Sequence, residues 1–306
     1  MKISAFLFCL AAVFGVISSA ASAQECDLCV AAGVGDTVKI AELIAAGADP
    51  DMEGPFGAPA LLYAARHGQA EAIEALIFGG ATWLASDDRG LTGTMVGVLA
   101  GHVNVVSVLM ARGAPINQRD ENGWTPLIYA SQHGHVPLAS LILSGVNTAF
   151  PDAGYVRPNR GGPDGMTPLM AAVAGNNREI VRMILDANAD VNQKNDYGTT
   201  ALMFAAYFGR EEIAYMLLDT GAEVNAGDQD GRTAAMFAVS RRHEGAEYQR
   251  IFFDLINNRG GAEAQDNFGN TFSEYAGPVG SDLNPPGGVP LSPTLQRFNF
   301  TLRATP

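Results

Sequence analysis

The sequence is poor in cysteine, in basic residues and in long apolar stretches, and each shortage excludes a class of protein. Three cysteines in 306 residues are too few for a disulfide-stapled mini-protein. Nineteen Lys and Arg residues against 32 Asp and Glu leave a net charge of −13, whereas binding to nucleic-acid phosphates requires clustered cations. Beyond residue 24, no stretch is long and apolar enough to span a bilayer. We therefore expect no nucleic-acid partner and no integral membrane segment in the mature chain.

Sequence motifs for catalysis are also missing. There is no Gly-rich phosphate loop, no His-Glu-x-x-His and no Gly-x-Ser-x-Gly. The carboxylates are scattered rather than paired, and no third ligand accompanies His133 and His135 in a metal site. The sequence predicts no catalytic residue, no cofactor and no metal site, so the protein is not expected to be an enzyme.

Residues 1–23 have the order of a secretory signal. One positive charge at Lys2 precedes an apolar run over residues 3–17, and small residues lead to an Ala-x-Ala site before Gln24. An uncleaved anchor is the alternative, because residues 3–24 carry no charge and are just long enough to span a bilayer. We expect cleavage near Ala23–Gln24, which places the mature chain in a periplasm or outside the cell.

The strongest signal in the sequence is an internal repeat. Its phase is set by glycines at intervals of 33, 33, 42, 33, 33 and 38 residues. These glycines are Gly57, Gly90, Gly123, Gly165, Gly198, Gly231 and Gly269. Four intervals are equal, and the other two are the same length plus an insertion. A period of this size indicates a stack of small structural units.

The local chemistry of one period predicts two helices. After a turn at Asp120–Gly123, Thr125 is suited to cap a helix whose first residue is Pro126. Gly134 is expected to end this helix, and a second, more apolar helix is expected over residues 136–143. Neither helix can bury its apolar stripe alone, so each unit must stack on its neighbours.

These motifs resemble the ankyrin repeat family. The resemblance rests on Gly123-Trp124-Thr125-Pro126-Leu127, on Gly165-Met166-Thr167-Pro168-Leu169, on Gly198-Thr199-Thr200-Ala201-Leu202, on the Gly101-His102 and Gly134-His135 pairs, and on Ala189-Asp190-Val191-Asn192. It implies an all-α solenoid of helix-turn-helix units with short β-hairpin loops. The family's Thr-Pro-Leu-His histidine is absent, and Leu62, Met95, Ile128, Met170, Met203 and Met236 stand in its place. We therefore expect repeat-to-repeat cohesion to depend on packing.

The chain divides into three parts. The signal peptide covers residues 1–23, an ankyrin repeat domain of about seven repeats covers residues 24–276, and a Pro/Gly-rich tail covers residues 277–306. The first and last repeats are atypical caps. Insertions lie near residues 149–161 and 240–250, where loop growth and a solvated helix extension are the simplest readings.

Cys26 and Cys29 are the two thiols that remain after cleavage. On a helix, residues three apart lie within the Cα distance window for a disulfide. We expect a small stabilising cross-link here, with a thiol redox or metal-handling function as the alternative.

The family resemblance also implies a binding face, formed by the hairpin tips and the first helices. Carried over by position, the candidate protein-binding residues are Phe56, Arg66, His67, Asp88, Arg89, Glu121, Asn122, Trp124, His133, Tyr197, Tyr207, Phe208, Asp230 and Arg232. For Tyr207 and Phe208, packing between helices is an equally good interpretation. Acidic residues at the tips favour a partner with a basic patch.

Two functions from different classes follow. The first is an exported, non-enzymatic scaffold, expected to be a monomer, that binds a client protein on the concave face of the solenoid. The second is a thiol redox or metal-handling protein that uses Cys26 and Cys29 and docks its substrates through the repeats.

Overall fold

The computed structural model describes residues 26–145, 158–159, 161–241, 245–257 and 264–276. In this part of the chain the helices come in pairs, with one first helix and one second helix per repeat. The first helices are α1 (Asp27–Val34), α3 (Ala60–Arg66), α5 (Gly93–Leu99), α7 (Pro126–His133), α9 (Pro168–Ala174), α11 (Ala201–Tyr207) and α13 (Ala234–Ser240). The second helices are α2 (Thr37–Ala45), α4 (Ala70–Phe78), α6 (Val103–Ala111), α8 (Val136–Ser144), α10 (Arg178–Asp186), α12 (Glu211–Asp219) and α14 (Ala246–Asn257). A short helix α15 (Phe272–Ala276) follows.

Most first helices begin after a threonine, whereas α1 follows Cys26 and α3 follows Pro59. The Thr125 hydroxyl oxygen accepts a hydrogen bond from the Ile128 N–H at 3.3 Å, and Pro126 occupies the first helical position, which needs no N–H donor. Gly134 ends α7 in the left-handed conformation with φ 71°. The helices expected around Thr125 and over residues 136–143 are thus confirmed, the second with one more residue at its end.

Successive repeats stack with first helix on first helix and second helix on second helix, and the core lies between them. Side chains at the position of the missing family histidine fill this core. Met95, Ile128, Met170, Met203 and Met236 are all buried. Unbranched methionine fills irregular space well, so the expectation of cohesion by packing is confirmed at these positions.

The turns between repeats are held by buried carboxylates and amides. Asp228 accepts hydrogen bonds from the N–H groups of Asp230 and Arg232, both at 2.9 Å. Asp266 does the same for Phe268 and Asn270, at 2.9 and 2.8 Å. Within the described residues these turns contain two isolated β-bridges and no strand. The burial of these aspartates corrects part of the prediction that acidic tip residues face a partner. Asp120, Asp228 and Asp266 are buried and hold turns instead.

A ladder of backbone hydrogen bonds joins the turn tips of neighbouring repeats. Each donor is an N–H one repeat after its acceptor carbonyl, as in Asp88 to Phe56 at 3.2 Å and Glu121 to Arg89 at 3.0 Å. The same bond joins Asp196 to Asp164, Gln229 to Tyr197 and Asn267 to Asp230. Between repeats four and five the donor position is Pro163, which has no N–H. There the Arg119 guanidinium donates instead to the Gly161 carbonyl oxygen.

A second set of hydrogen bonds links the other ends of the first helices. His102 Nε2 lies 3.1 Å from the Arg66 carbonyl oxygen. Asn177 donates to the Ser131 carbonyl at 2.7 Å, and Arg210 donates to the Ala174 carbonyl at 3.3 Å. Side chains from the start of one second helix therefore satisfy carbonyls at the end of the first helix in the preceding repeat. Polar links thus supplement the packing, which the sequence analysis did not anticipate.

Three predicted features lie outside the described residues: the signal peptide, all but a few residues of the 149–161 insertion, and the 277–306 tail. Of the 240–250 insertion, residues 242–244 are also outside. Among the helices of the described part, none combines the length and apolar character that a bilayer crossing requires.

Candidate functional site

One face of the first helices points away from the second helices, and we call it the first-helix face. A single position on this face recurs in every repeat. It is occupied in turn by Val30, Tyr63, Val96, Tyr129, Ala171, Phe204 and Phe237. The first four are exposed or half-buried, whereas the last three are buried, with Phe204 at 0% exposure. The face is therefore open in repeats one to four and closed in repeats five to seven.

Neighbouring positions show the same division. In the open half, Arg66 is half-buried and His67 is exposed at the end of α3, and Leu99 is half-buried at the end of α5. In the closed half, Ala174 and Tyr207 are buried at the corresponding places. The division is less complete here than at the first position, because Gly175, Ser240 and Arg241 of the closed half are half-buried.

Aromatic and arginine side chains fill the closed half. The Tyr207 ring meets the Phe208 ring edge-on at a centroid distance of 5.0 Å. The Arg241 guanidinium carbon lies 4.3 Å from the Tyr207 centroid, and that of Arg210 lies 5.9 Å from the Phe208 centroid. Contacts of this type stabilise a protein when the cation is partly desolvated.

The predicted roles of Tyr207, Phe208 and Arg232 are therefore wrong. Tyr207 is 1% exposed and Phe208 is also buried, so the alternative of packing between helices is the correct one. Arg232 is 5% exposed because its guanidinium pairs with Asp228 at 2.7 Å and with Asp230 at 2.9 Å. Asp230 is half-buried in the same ion pair. None of these four side chains is placed to present a free group to a client.

Other predicted tip residues are exposed. Asp88, Arg89, Glu121 and Asn122 all reach solvent at consecutive tips. Arg89 is nonetheless tied to its own turn, because its guanidinium donates to Asp87 Oδ2 at 2.8 and 3.0 Å. The cationic character of this tip is thus partly neutralised.

Phe56 is the most exposed of the predicted aromatic residues, at 78%. It occupies a tight turn with φ 62°, a left-handed conformation that residues with a Cβ rarely adopt. Asp164 occupies the same place in repeat five with φ 55°. Aspartate tolerates this conformation because its short side chain can bond locally, and phenylalanine lacks that compensation.

Trp124 and Tyr197 are half-buried at their turns. The Trp124 ring stacks on Tyr129 with a centroid distance of 5.4 Å, and the Tyr129 hydroxyl donates to Asp120 Oδ2 at 2.5 Å. This hydrogen bond and burial together raise the pKa of Tyr129 far above its ordinary value. Trp124 therefore combines a packing role with a partly accessible edge.

The histidines of the described residues all lie in the open half, at or just after the end of a first helix. His67 and His133 are exposed, and the His133 and His135 rings stack with centroids 5.9 Å apart. Desolvation, with the nearby Arg66 and His102, lowers the pKa of His67. Desolvation also lowers the pKa values of His133 and His135, and for His133 the charge on His135 adds to the effect. No three metal-ligating side chains converge within the described part of the chain.

Cys26 and Cys29 open α1. Their Cα atoms are 5.0 Å apart and the structure pairs their sulfurs, while Cys26 Sγ also accepts a hydrogen bond from the Cys29 N–H at 3.1 Å. Both residues are buried, and Cys29 reaches toward Gly54 of the next repeat. Thiol exchange requires an accessible sulfur, so this environment favours a structural cross-link over a redox centre.

The apolar residues of the open face were not among the predicted protein-binding residues. Val30, Tyr63, Val96 and Tyr129 are separated by 33 residues each. The interval itself is the signal that could have found them, because residues at one phase of a repeat share one environment. Val34, one helical turn after Val30, belongs to the same surface and is 68% exposed.

Comparisons with known proteins agree with this architecture. A family profile described as "Ankyrin repeats (3 copies)" matches residues 28–120, 61–153, 98–195, 147–228 and 188–249. The crystal structure of the human ASB11 ankyrin repeat domain is similar with a TM-score of 0.63 at 22% identity, over 74% of this chain and 96% of that one. The ankyrin repeat domain of Bcl-3 is similar with a TM-score of 0.65 at 20% identity, over 78% of this chain and 100% of that one. None of the curated proteins matches this chain.

Proposed function

This chain belongs to the ankyrin repeat family, and from that premise we propose that it is an exported, non-enzymatic scaffold that binds a client protein on its first-helix face. Ankyrin repeats generally act as protein–protein interaction scaffolds. Export is supported by the charged, apolar and small-residue order of residues 1–23.

The observation that carries the proposal is the open half of the first-helix face. Tyr63, Val96, Leu99 and Tyr129 form a continuous, partly accessible surface on neighbouring helices. The tip ladder and the helix-end hydrogen bonds fix those helices relative to one another. A surface that is already ordered binds with little further loss of conformational entropy.

Two further features of the proposal concern the mature protein. Cleavage near Gln24 would leave Cys26 two residues from the new N-terminus. In an oxidising compartment a disulfide to Cys29 would then prevent α1 from fraying at its exposed start. We also propose that the mature protein is a monomer.

The test is capture from the exported fraction of the native cell, with wild type and two matched variants as bait. Leu99→Glu places a charge on the open face, and Ser107→Glu places one on the exposed surface of α6. We expect wild type and Ser107→Glu to recover the same client and Leu99→Glu to lose it. Circular dichroism must show that both variants are folded.

Two results would contradict the proposal. Recovery of the same client by Leu99→Glu would place the binding surface elsewhere. Turnover of a small molecule by the purified protein alone would show that scaffold binding is not its activity.

A further inference from the structure

We propose that the open half of the first-helix face, from Val30 to Tyr129, binds a basic, amphipathic polypeptide segment. The inference rests on the proposed function, because it specifies the chemistry of the client that the scaffold takes. It follows from the floor of the surface, its rim, its length and one strained residue beside it.

The floor of this surface is largely apolar, although half-buried Arg66 and exposed His67 lie on it at the end of α3. Val30 and Val34 are 57% and 68% exposed on α1, and Tyr63, Val96 and Leu99 continue the surface on α3 and α5. Single exposed apolar residues are ordinary on protein surfaces. Here they recur on consecutive packed helices at one repeat phase, which makes a contiguous patch, and such patches mark binding sites.

The rim of the surface is acidic. Asp49 and Glu53 are exposed in the turn before α3, Asp88 in the turn before α5 and Glu121 in the turn before α7. Two arginines lie in the same turns, but Arg89 pairs with Asp87 and Arg119 donates to the Gly161 carbonyl oxygen. A client segment with apolar side chains for the floor and Lys or Arg side chains for the rim would complement both.

The length of the surface indicates a polypeptide segment and not a small molecule. Packed helices lie about 8–10 Å apart, so four first helices present a strip of about 30 Å. An extended segment of about nine residues or a helix of about 20 residues would cover it. The closed half, where Phe204 and Tyr207 are buried, offers no equivalent floor.

Phe56 supports a binding role for this end of the stack. Its left-handed turn conformation is unfavourable for a phenylalanine, and its side chain is left in solvent. The Phe56 carbonyl oxygen takes part in the tip ladder, but the ring, 78% exposed, adds little to the core. Insertion of the ring into an apolar site on the client would account for its presence at the tip.

The experiment measures peptide binding to the purified protein by fluorescence anisotropy at physiological salt. The probes are 20-residue peptides of leucine and lysine, one with helical spacing and one with alternating spacing. The controls replace lysine by glutamate, or leucine by serine. We expect at least one Leu/Lys peptide to bind and both control peptides to bind at least about tenfold more weakly.

Matched variants locate the site. Val34→Gln should weaken binding about tenfold, whereas Val38→Gln, at a valine with the same 68% exposure on α2, should leave it unchanged. Glu121→Gln should weaken binding about threefold, whereas Glu223→Gln, at an exposed glutamate in the turn before α13 of the closed half, should not. Unchanged circular dichroism confirms that the variants are folded.

Three outcomes would overturn the inference: failure of both Leu/Lys peptides to bind, equal binding of the Ser/Lys peptide, or equal effects of Val34→Gln and Val38→Gln. The second outcome would show charge attraction alone. Capture of a client that depends on Leu99 assumes nothing about the client's charge, so the proposed function would survive any of these results.

Discussion

Repeats one to four and repeats five to seven have the same arrangement of helices but differ in whether they bury the side chain at one recurring position. At one recurring position the first group places Val30, Tyr63, Val96 and Tyr129 on the surface, and the second group buries Phe204 and Phe237. The apolar surface of the described residues is also concentrated in the early repeats, where Phe56, Phe78 and Leu84 are exposed. A repeat position therefore fixes where a side chain lies on the helix but not whether it is exposed or buried.

The largest expected difference between the halves is in core truncation. Phe204→Ala should lower the free energy of unfolding by about 3–5 kcal/mol, because a fully buried ring leaves a cavity. Val96→Ala, at the same repeat position in the open half, should cost about 1 kcal/mol or less. Denaturant titration of both variants measures the contrast, and equal losses would contradict the division into open and closed halves.

Ion pairs should show a similar contrast. Arg232→Met leaves Asp228 as a buried charge without its cation and should cost about 3 kcal/mol. Arg89→Met removes a largely exposed partner of Asp87 and should cost less than about 1 kcal/mol. Thermal unfolding followed by circular dichroism distinguishes the two. If Arg232→Met is neutral, the closed half is not held by this pair.

The proposed cross-link between Cys26 and Cys29 should stabilise the first repeat alone. The loss of entropy in the unfolded chain on closing so small a loop corresponds to a stabilisation of about 2 kcal/mol. Reductant should therefore increase hydrogen exchange in α1 and α2 but not in α11 and α12. A Cys26→Ala/Cys29→Ala variant is the control, since its exchange must not respond to reductant.

Lowering the pH should produce the smallest loss of stability, and this loss should occur in the open half. The pKa values of His67, His133 and His135 are lowered in the folded state, so the unfolded chain binds more protons as the pH falls. Stability is thus full above the unfolded histidine pKa and decreases between pH ~7 and ~5. Hydrogen exchange at the two pH values should show faster opening of α3 and α7 than of α11. A His133→Gln variant should lose part of this dependence.

Much of the fold could be predicted from local sequence chemistry. Thr125, Pro126 and Gly134 set the start and end of α7 through interactions within a few residues, and such interactions are readable from sequence. The burial of Tyr207 could not be predicted from local sequence, because it depends on contacts with Phe237 and Arg241 from the next repeat. Arg232 was misread although the partners that accompany its burial, Asp228 and Asp230, lie in its own turn. The same repeat position holds apolar Leu91, Trp124 and Met166 in other repeats. This pattern indicates an apolar environment, from which the burial of Arg232 could have been predicted.

Pro163 gives the stack a mechanically distinct joint. Every other described pair of adjacent tips from Phe56 to Asn267 shares a main-chain hydrogen bond, and this one depends on the long Arg119 side chain. Under tension applied at the two ends, rupture should begin at that joint. The molecule would then separate into two shorter rods, each with its own tip hydrogen bonds, one carrying the open half of the first-helix face and the other the closed half.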